Sequence, residues 1–138
     1  RRARAARELR GALERFADDA AALQLLALAL ARAGDTRGVE RATARMLVLA
    51  RRSGRHYRSY GLRLWGAGRR AEALDFWRRR LGKRASAVAY EQWAEVMLGL
   101  GRQLRPYRGQ LLQQVRRGLR RHPGHHSLLL LLRELNGP

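Results

Sequence analysis

Two groups of residues that lie close together in the sequence could bind a metal ion or catalyse a reaction. They are three histidines and a pair of glutamates. His122, His125 and His126 flank Pro123-Gly124. Imidazoles at this spacing could bind a metal ion, but a metal site needs several converging ligands, commonly with a carboxylate or thiolate among them. No such ligand is adjacent, so we interpret the cluster as a polar turn and expect neither a metal site nor a cofactor.

Glu91 and Glu95 stand four residues apart, one turn along a helix. Paired carboxylates can work as general acid and base, but a solvated helix face is the stronger interpretation. The chain contains no local Ser/His/Asp signature and no phosphate-binding loop with lysine and Ser/Thr. We therefore expect no catalytic residues and do not expect an enzyme.

Arginine dominates the charged side chains. It supplies 29 of the 30 basic residues against 11 acidic ones, which gives a formal net charge of +19. Two interpretations stay open: a solvated face whose arginine stems cover apolar surface, or an anion-binding surface. The candidate anion-binding residues form the two densest groups, Arg78, Arg79 and Arg80, and Arg116, Arg117, Arg120 and Arg121.

The composition predicts that helices position these side chains. The chain is 46% hydrophobic and rich in alanine, leucine and arginine, which favour helix, and β-branched residues are scarce. It has no cysteine, which excludes a disulfide framework, and no run of 18 apolar residues that could span a membrane. Apolar periodicity predicts an all-α fold of about eight helices, near 1–16, 20–33, 36–52, 55–67, 70–82, 86–100, 106–121 and 126–136.

Three glycines recur at a nearly constant stride. Gly34 and Gly68 are 34 residues apart, and Gly68 and Gly101 are 33 apart. A glycine at a helix end lets the chain leave through a positive φ, so each should start a turn between two antiparallel helices. One apolar face containing a small residue precedes each glycine: Leu23, Leu26, Ala27 and Leu30; Tyr57, Tyr60, Gly61 and Leu64; Tyr90, Trp93, Ala94 and Met97.

This pattern resembles the tetratricopeptide repeat family, whose repeats of about 34 residues consist of two antiparallel helices. The best match is Tyr57-x-x-Tyr60-Gly61-x-x-Leu64, followed by Ala73 and Trp77. Weaker matches are Ala5, Leu9 and Ala12 as a second-helix face, Asp18-Asp19 as an inter-repeat turn, Leu111, Val115 and Gly118 as another face, and His122-Pro123 as a turn.

The sequence also departs from the family pattern. Met46 and Arg80 stand where a small residue is usual. The third repeat is about five residues longer around 102–109, and Pro106 in that stretch is expected to begin a helix. The resemblance implies a right-handed α-solenoid in one domain, 1–138, with repeat-like units 1–19 (partial), 20–53, 54–86, 87–124 and 125–138 (partial). We expect it to be a fragment of a longer protein.

The arginines collect on the second helix of each predicted repeat. Segments 1–16, 35–52, 69–84 and 102–121 hold 25 basic and six acidic residues, whereas the rest of the chain holds five of each. The whole formal excess therefore lies on the second helices. The resemblance implies that these form the outer, convex wall, which would be strongly positive.

The resemblance also implies that the first helices line a concave, nearly neutral groove. Such a groove suits an extended or helical peptide. A carboxylate clamp of the kind known in the family is not expected, because Leu28 and Leu62 stand at its asparagine places. The predicted groove residues are Gln24, Leu28, Arg32, Arg55, Arg58, Leu62, Trp65, Glu91, Gln92 and Glu95, with Trp65 as a candidate anchor.

Two functions follow as hypotheses. The leading one is a non-enzymatic protein-interaction scaffold in a larger bacterial assembly, secretion or export complex. We expect it in the cytoplasm or periplasm. Its expected partner is a protein, which an acidic surface would suit but which need not be acidic. The alternative is a module that uses the convex wall to bind a polyanion. An anionic membrane or acidic polysaccharide is favoured there over nucleic acid, because no aromatics interleave with the arginines. The leucines 128–132 are expected to be buried or to support end-to-end self-association.

Overall fold

The computed structural model describes residues 2–138, and the regular structure within that range is helical, with no strand. The predicted all-α class is therefore confirmed. No helix in the described range is both long and apolar enough to cross a membrane. The helices are α1 Arg2–Arg15, α2 Ala20–Arg32, α3 Thr36–Arg52, α4 Gly54–Gly66, α5 Arg70–Arg79, α6 Ala87–Leu100, a 3₁₀ segment Gly101–Tyr107, α7 Arg108–Arg121 and α8 His126–Asn136.

The chain divides into two compact units, the first ending at Arg79 and the second comprising Arg80–Pro138. In the first unit each helix packs on the next, most closely α2 on α3 and α4 on α5. In the second unit α8 packs against both α6 and α7. The boundary at Arg79 follows the end of α5 and falls inside the predicted repeat unit 54–86.

Short polar side chains fix where several helices begin. Asp19, Asp35 and Ser86 precede α2, α3 and α6, and each accepts a hydrogen bond from the backbone N–H three residues on, at 3.0–3.1 Å. These bonds satisfy donors that the first helical turn leaves without partners. The predicted polar turn at Asp18-Asp19 thus contains the cap of α2.

Two glycine turns repeat the same geometry. Gly34 and Gly68 have φ of 76° and 80°, and the N–H of the next residue in each turn reaches back to the helix it leaves. Asp35 donates to the Leu30 carbonyl at 3.0 Å, and Arg69 to the Leu64 carbonyl at 2.9 Å. This is the Schellman arrangement, which satisfies the last carbonyls of a helix.

The third glycine turn differs. Gly101 has φ 55° but leads into the 3₁₀ segment instead of directly into a helix. That segment accounts for the predicted lengthening around 102–109. Pro106 lies inside it and does not begin α7, which starts at Arg108, so the expected place of Pro106 was wrong.

The predicted apolar faces of α2, α4 and α6 form the cores of the units. Leu26 is partly exposed. Every other residue of these faces except the glycine is 1% exposed or less. The prediction for α1 was wrong in one respect. Ala5 is exposed, whereas Ala6 and Leu13 are buried, so the inward face is displaced by one residue from the predicted one.

Close contact between α4 and α5 depends on one small residue. A Cβ on Gly61 would lie 2.1 Å from the Trp77 indole. That indole is held by reciprocal bonds: Trp77 Nε1 donates to the Tyr57 carbonyl at 3.0 Å, and the Tyr57 hydroxyl donates to the Trp77 carbonyl at 2.7 Å. In the second unit Gly118 has a similar place, because its Cβ would lie 2.6 Å from Leu128 and 2.7 Å from Tyr90.

Candidate binding surfaces

In the first unit, α2 and α4 lie side by side. Gln24 Nε2 on α2 donates to Ser59 Oγ on α4 at 3.0 Å, and Gln24 is only 9% exposed. Gln24 was predicted to face a ligand, but its side-chain amide forms this hydrogen bond between the two helices. Ser59 was not among the predicted groove residues. Its separation of 35 residues from Gln24, close to the repeat stride, is the signal that could have identified the pair.

The outward face of α4 carries the predicted groove residues of that helix. Arg55, Arg58 and Leu62 recur at intervals of three and four, so they fall on one side of the helix. Both arginines are exposed, and Leu62 is 36% exposed. With Gly54 and Ser59 they line a shallow cavity of about 440 Å³. The surface combines cationic groups with an accessible apolar side chain.

The neighbouring helix α2 offers a second apolar and cationic surface. Leu28 is half-buried, and Arg32 is exposed in the last turn. Leu25 is 59% exposed and was not among the predicted groove residues. Its position two residues before the buried Ala27 is the signal that could have placed it on the outer side.

The expectation that Trp65 anchors a ligand was wrong. Trp65 is 7% exposed, its ring centroid lies 6.3 Å from that of Trp77, and the Arg70 guanidinium sits 4.7 Å from its ring centroid. The physical reason is that α4 ends one residue later, so its last turn packs back onto α5. The aromatic surface is already covered by Trp77 and by a cation.

The remaining predicted groove residues belong to the second unit and lie on α6. Glu91 and Glu95 are exposed, and Gln92 is half-buried with an unpaired buried Oε1. Neither glutamate forms an ion pair within residues 2–138. The two carboxylates therefore lie on a solvated face.

The arginine group at the end of α5 is partly neutralised within the first unit. Asp75 accepts from Arg78 at 2.6 Å and from Arg79 at 2.8 Å, and Arg79 also bonds Glu40 at 3.0 Å. Burial opposes ionisation of Asp75, but the hydrogen bonds and charges of the two arginines outweigh it and hold the pKa of Asp75 below its usual value. The hydrogen bond to Glu40 is the main cause that raises the pKa of Arg79.

The arginine group of α7 has a different environment in the second unit. Arg116, Arg120 and Arg121 are exposed, and Arg117 is half-buried. Within residues 2–138 no carboxylate pairs with them. Arg121 Nη1 instead donates to the carbonyl oxygen of Lys83 at 3.0 Å, which holds a second basic segment beside the helix. We call Arg116, Arg117, Arg120, Arg121, Lys83 and Arg84 the basic cluster of the second unit.

The histidines form a structural turn. His122 Nε2 lies 3.0 Å from the Ala85 carbonyl, and His125 Nε2 lies 2.7 Å from the Ala87 carbonyl. His125 Nδ1 also accepts from the N–H of Leu128, capping α8. These bonds tie the turn to the start of α6. Among the described residues no group of His, Cys, Asp or Glu could hold a metal ion.

The leucine run of α8 is divided between two environments. Leu128 and Leu131 are buried against the unit, whereas Leu129 and Leu130 are 45% and 40% exposed. Helical periodicity explains the division, since residues three apart share a face. Burial thus accounts for part of the run, and self-association through the exposed part stays a prediction.

No protein-family model matches the sequence, and comparisons with curated proteins and with solved structures also gave no match. The function must therefore be inferred from the surfaces themselves.

Proposed function

We propose that this chain is a non-enzymatic scaffold that binds a partner protein along the outer face of α2 and α4. The observation that carries the proposal is the side-by-side packing of these helices through Gln24 and Ser59. It leaves Arg55, Arg58 and Leu62 exposed on a continuous face with no internal partner within the described residues. Cationic and apolar groups together suit an amphipathic helix or an extended segment that carries acidic residues.

The finer architecture that we propose is a right-handed solenoid of about eight helices, similar to tetratricopeptide repeats. Its support is the recurrence of one hairpin design. The glycine turns at Gly34 and Gly68 share the same φ and the same pattern of hydrogen bonds. Such arrays present extended surfaces to protein partners. A place in a larger bacterial assembly, secretion or export complex is part of the same proposal.

Charge reversal on α4 tests the scaffold proposal. A peptide selected from a displayed library against the wild-type protein serves as the probe, and fluorescence anisotropy measures its affinity. The double variant Arg55→Glu with Arg58→Glu should weaken binding by at least roughly tenfold, because like charges then face an acidic ligand. The matched control is Arg51→Glu with Arg52→Glu, which makes the same charge change at exposed positions of α3. Equal losses in both variants would show that only net charge matters and would defeat the proposal.

A second candidate function is polyanion binding by the basic cluster of the second unit. The specific observation is that its α7 arginines have no carboxylate partner in the part of the chain that the structure describes. Arginine suits phosphate and carboxylate because its planar fork can donate two parallel hydrogen bonds. Titration with anionic vesicles and with RNA at two salt concentrations tests it. An affinity for vesicles and for RNA that does not change with the salt concentration would exclude this function.

A further inference from the structure

The second unit contains a cleft that neither candidate function uses. It opens between the end of α6, the 3₁₀ segment, the start of α7 and the end of α8, and its volume is about 590 Å³. Sites for small molecules in proteins commonly have volumes of about 300–1,000 Å³. The cleft is therefore large enough for a small organic ligand.

The floor of the cleft is apolar. Met97, Leu104, Leu131 and Leu135 contribute to its lining, and each is 8% exposed or less. Leu98 is half-buried and lies on α6, next to Met97. A hydrocarbon chain placed here would leave water and contact side chains that the fold already holds in place.

The rim of the cleft is cationic. Arg102, Arg105, Arg108 and Arg133 line it, against one carboxylate, Glu134. Two of the four arginines form hydrogen bonds within the unit. Arg108 donates to the Leu135 carbonyl and, at 3.1 Å, to Asn136 Oδ1, and Arg105 donates to the main-chain oxygen of Pro138 at 2.8 Å. These bonds satisfy acceptors at the end of α8, where the helix dipole also favours cations.

The other two rim arginines differ from these. Arg102 and Arg133 are exposed, and neither makes a side-chain hydrogen bond or ion pair within residues 2–138. Arg102 lies in the 3₁₀ segment that lengthens this turn relative to those at Gly34 and Gly68. The segment that lengthens this turn thus supplies part of the cationic rim.

We propose that this cleft binds a small amphipathic anion, a carboxylate that carries a saturated hydrocarbon chain of medium length. The chain lies on the floor of Leu98, Leu104 and Leu131, and the carboxylate accepts hydrogen bonds from Arg102. Guanidinium groups bind carboxylates more strongly than neutral donors do, and Arg133 adds a second positive charge at the rim. The site is independent of the scaffold face on α2 and α4.

Calorimetric titration of the whole chain tests this proposal, with decanoate below its micellar concentration as the probe. Decanol has the same chain without the charge, and acetate has the charge without the chain. Decanoate should bind saturably at one site and at least roughly tenfold more tightly than either analogue, because only decanoate uses both floor and rim. Equal binding of decanol, or binding without saturation, would overturn the proposal.

Two variants locate the site. Arg102→Gln should weaken decanoate binding by roughly tenfold, the loss expected for one hydrogen bond to a charged group. Leu98→Gln should also weaken it, because it places a polar group on the floor. The control is Arg37→Gln, which removes the same charge from an exposed position of α3 outside the cleft lining and should leave binding unchanged.

Circular dichroism of each variant verifies that the helices are intact. In intact variants, equal losses for Arg102→Gln and Arg37→Gln would show that decanoate binds only through net charge, and the proposal would fail. Loss with Arg102→Gln alone supports it. The outcome is distinguishable from that of the scaffold test because the α4 variants leave the cleft unaltered.

Discussion

The two units differ in the groups that accept hydrogen bonds from their arginine side chains. In the unit that ends at Arg79, arginines pair with Asp and Glu side chains, as Arg79 does with Asp75 and Glu40. In the second unit, no arginine of α7 pairs with a carboxylate among residues 2–138, and Arg108 and Arg121 donate to main-chain carbonyl oxygens instead.

The difference matters for the electrostatic field outside each unit. A carboxylate cancels the charge of the arginine that it binds, whereas a carbonyl oxygen orients the guanidinium and leaves its net charge in place. Arg108 and Arg121 are thus held in position by hydrogen bonds and still able to attract an anion. Positive charges that are not cancelled raise the local concentration of anions at a protein surface.

The largest expected effect concerns packing, and it compares the glycines that permit close contact in each unit. Gly61→Ala should destabilise the protein by about 1–3 kcal/mol, because the Trp77 indole is pinned by Tyr57 and cannot easily move away. Gly118→Ala should cost less, since its added Cβ overlaps its neighbours less deeply, at 2.6 Å from Leu128 and 2.7 Å from the Tyr90 ring. Urea unfolding followed by circular dichroism measures both.

Gly66→Ala is the control for Gly61→Ala, because it lies on the same helix with no atom near its added Cβ. It should be neutral or stabilising by up to about 1 kcal/mol, as alanine loses less backbone entropy than glycine. A stable Gly61→Ala protein would contradict the tight packing of α4 on α5.

The next effect separates the two arginine groups. Arg116→Gln with Arg120→Gln should weaken binding to anionic vesicles by roughly thirtyfold, at about 1 kcal/mol for each arginine near the surface. It should leave stability unchanged or slightly raised, because like charges one turn apart repel. Vesicle sedimentation and urea unfolding measure the two quantities.

Arg78→Gln with Arg79→Gln should show the opposite pattern. It removes the same number of charges but breaks the contacts to Asp75 and Glu40, so stability falls and vesicle binding changes less. If both double variants behaved alike, the distinction between cancelled and uncancelled arginines would have no consequence for binding.

The smallest effect is the pH dependence of the Asp75 contacts. Because the folded-state pKa of Asp75 lies below its usual value of about 3.9, its contribution to stability is present above that value and is lost as the pH falls through the lower folded-state pKa. The contribution should be under about 1 kcal/mol, since the carboxylate is partly exposed and screened by solvent.

Urea unfolding of the wild type and of Asp75→Asn at pH 6 and pH 3 measures this contribution. The difference in unfolding free energy between the two proteins should be larger at pH 6 than at pH 3. A difference that grows towards acid pH would contradict the assigned direction of the pKa shift.

Much of the helical organisation could be predicted, because apolar periodicity and the glycine stride are local properties of the sequence. The buried faces around Tyr57 and Tyr90 are examples, and the exposed face of Arg55 and Arg58 follows from the same periodicity. The 3₁₀ segment could be predicted only as extra length, since Gly101 resembles Gly34 and Gly68 in its immediate neighbours.

The site residues that were placed wrongly depend on contacts between distant parts of the chain. Trp65 is one residue from the core residue Leu64, and only the position of Trp77 decides that it is covered. Gln24 could equally face solvent or Ser59 until α2 and α4 are placed together. Ion pairs such as Arg79 with Glu40 join residues 39 apart and have no local signature.

The Lys83 segment, which Arg121 holds against α7, has a practical consequence for experiments. Lys83 is the single lysine of the chain and is exposed. An amine-reactive fluorophore can therefore be directed to the side chain of Lys83. The second unit therefore offers one natural labelling position inside its basic cluster, and quenching or polarisation of that dye would report an approaching anion without any engineered cysteine.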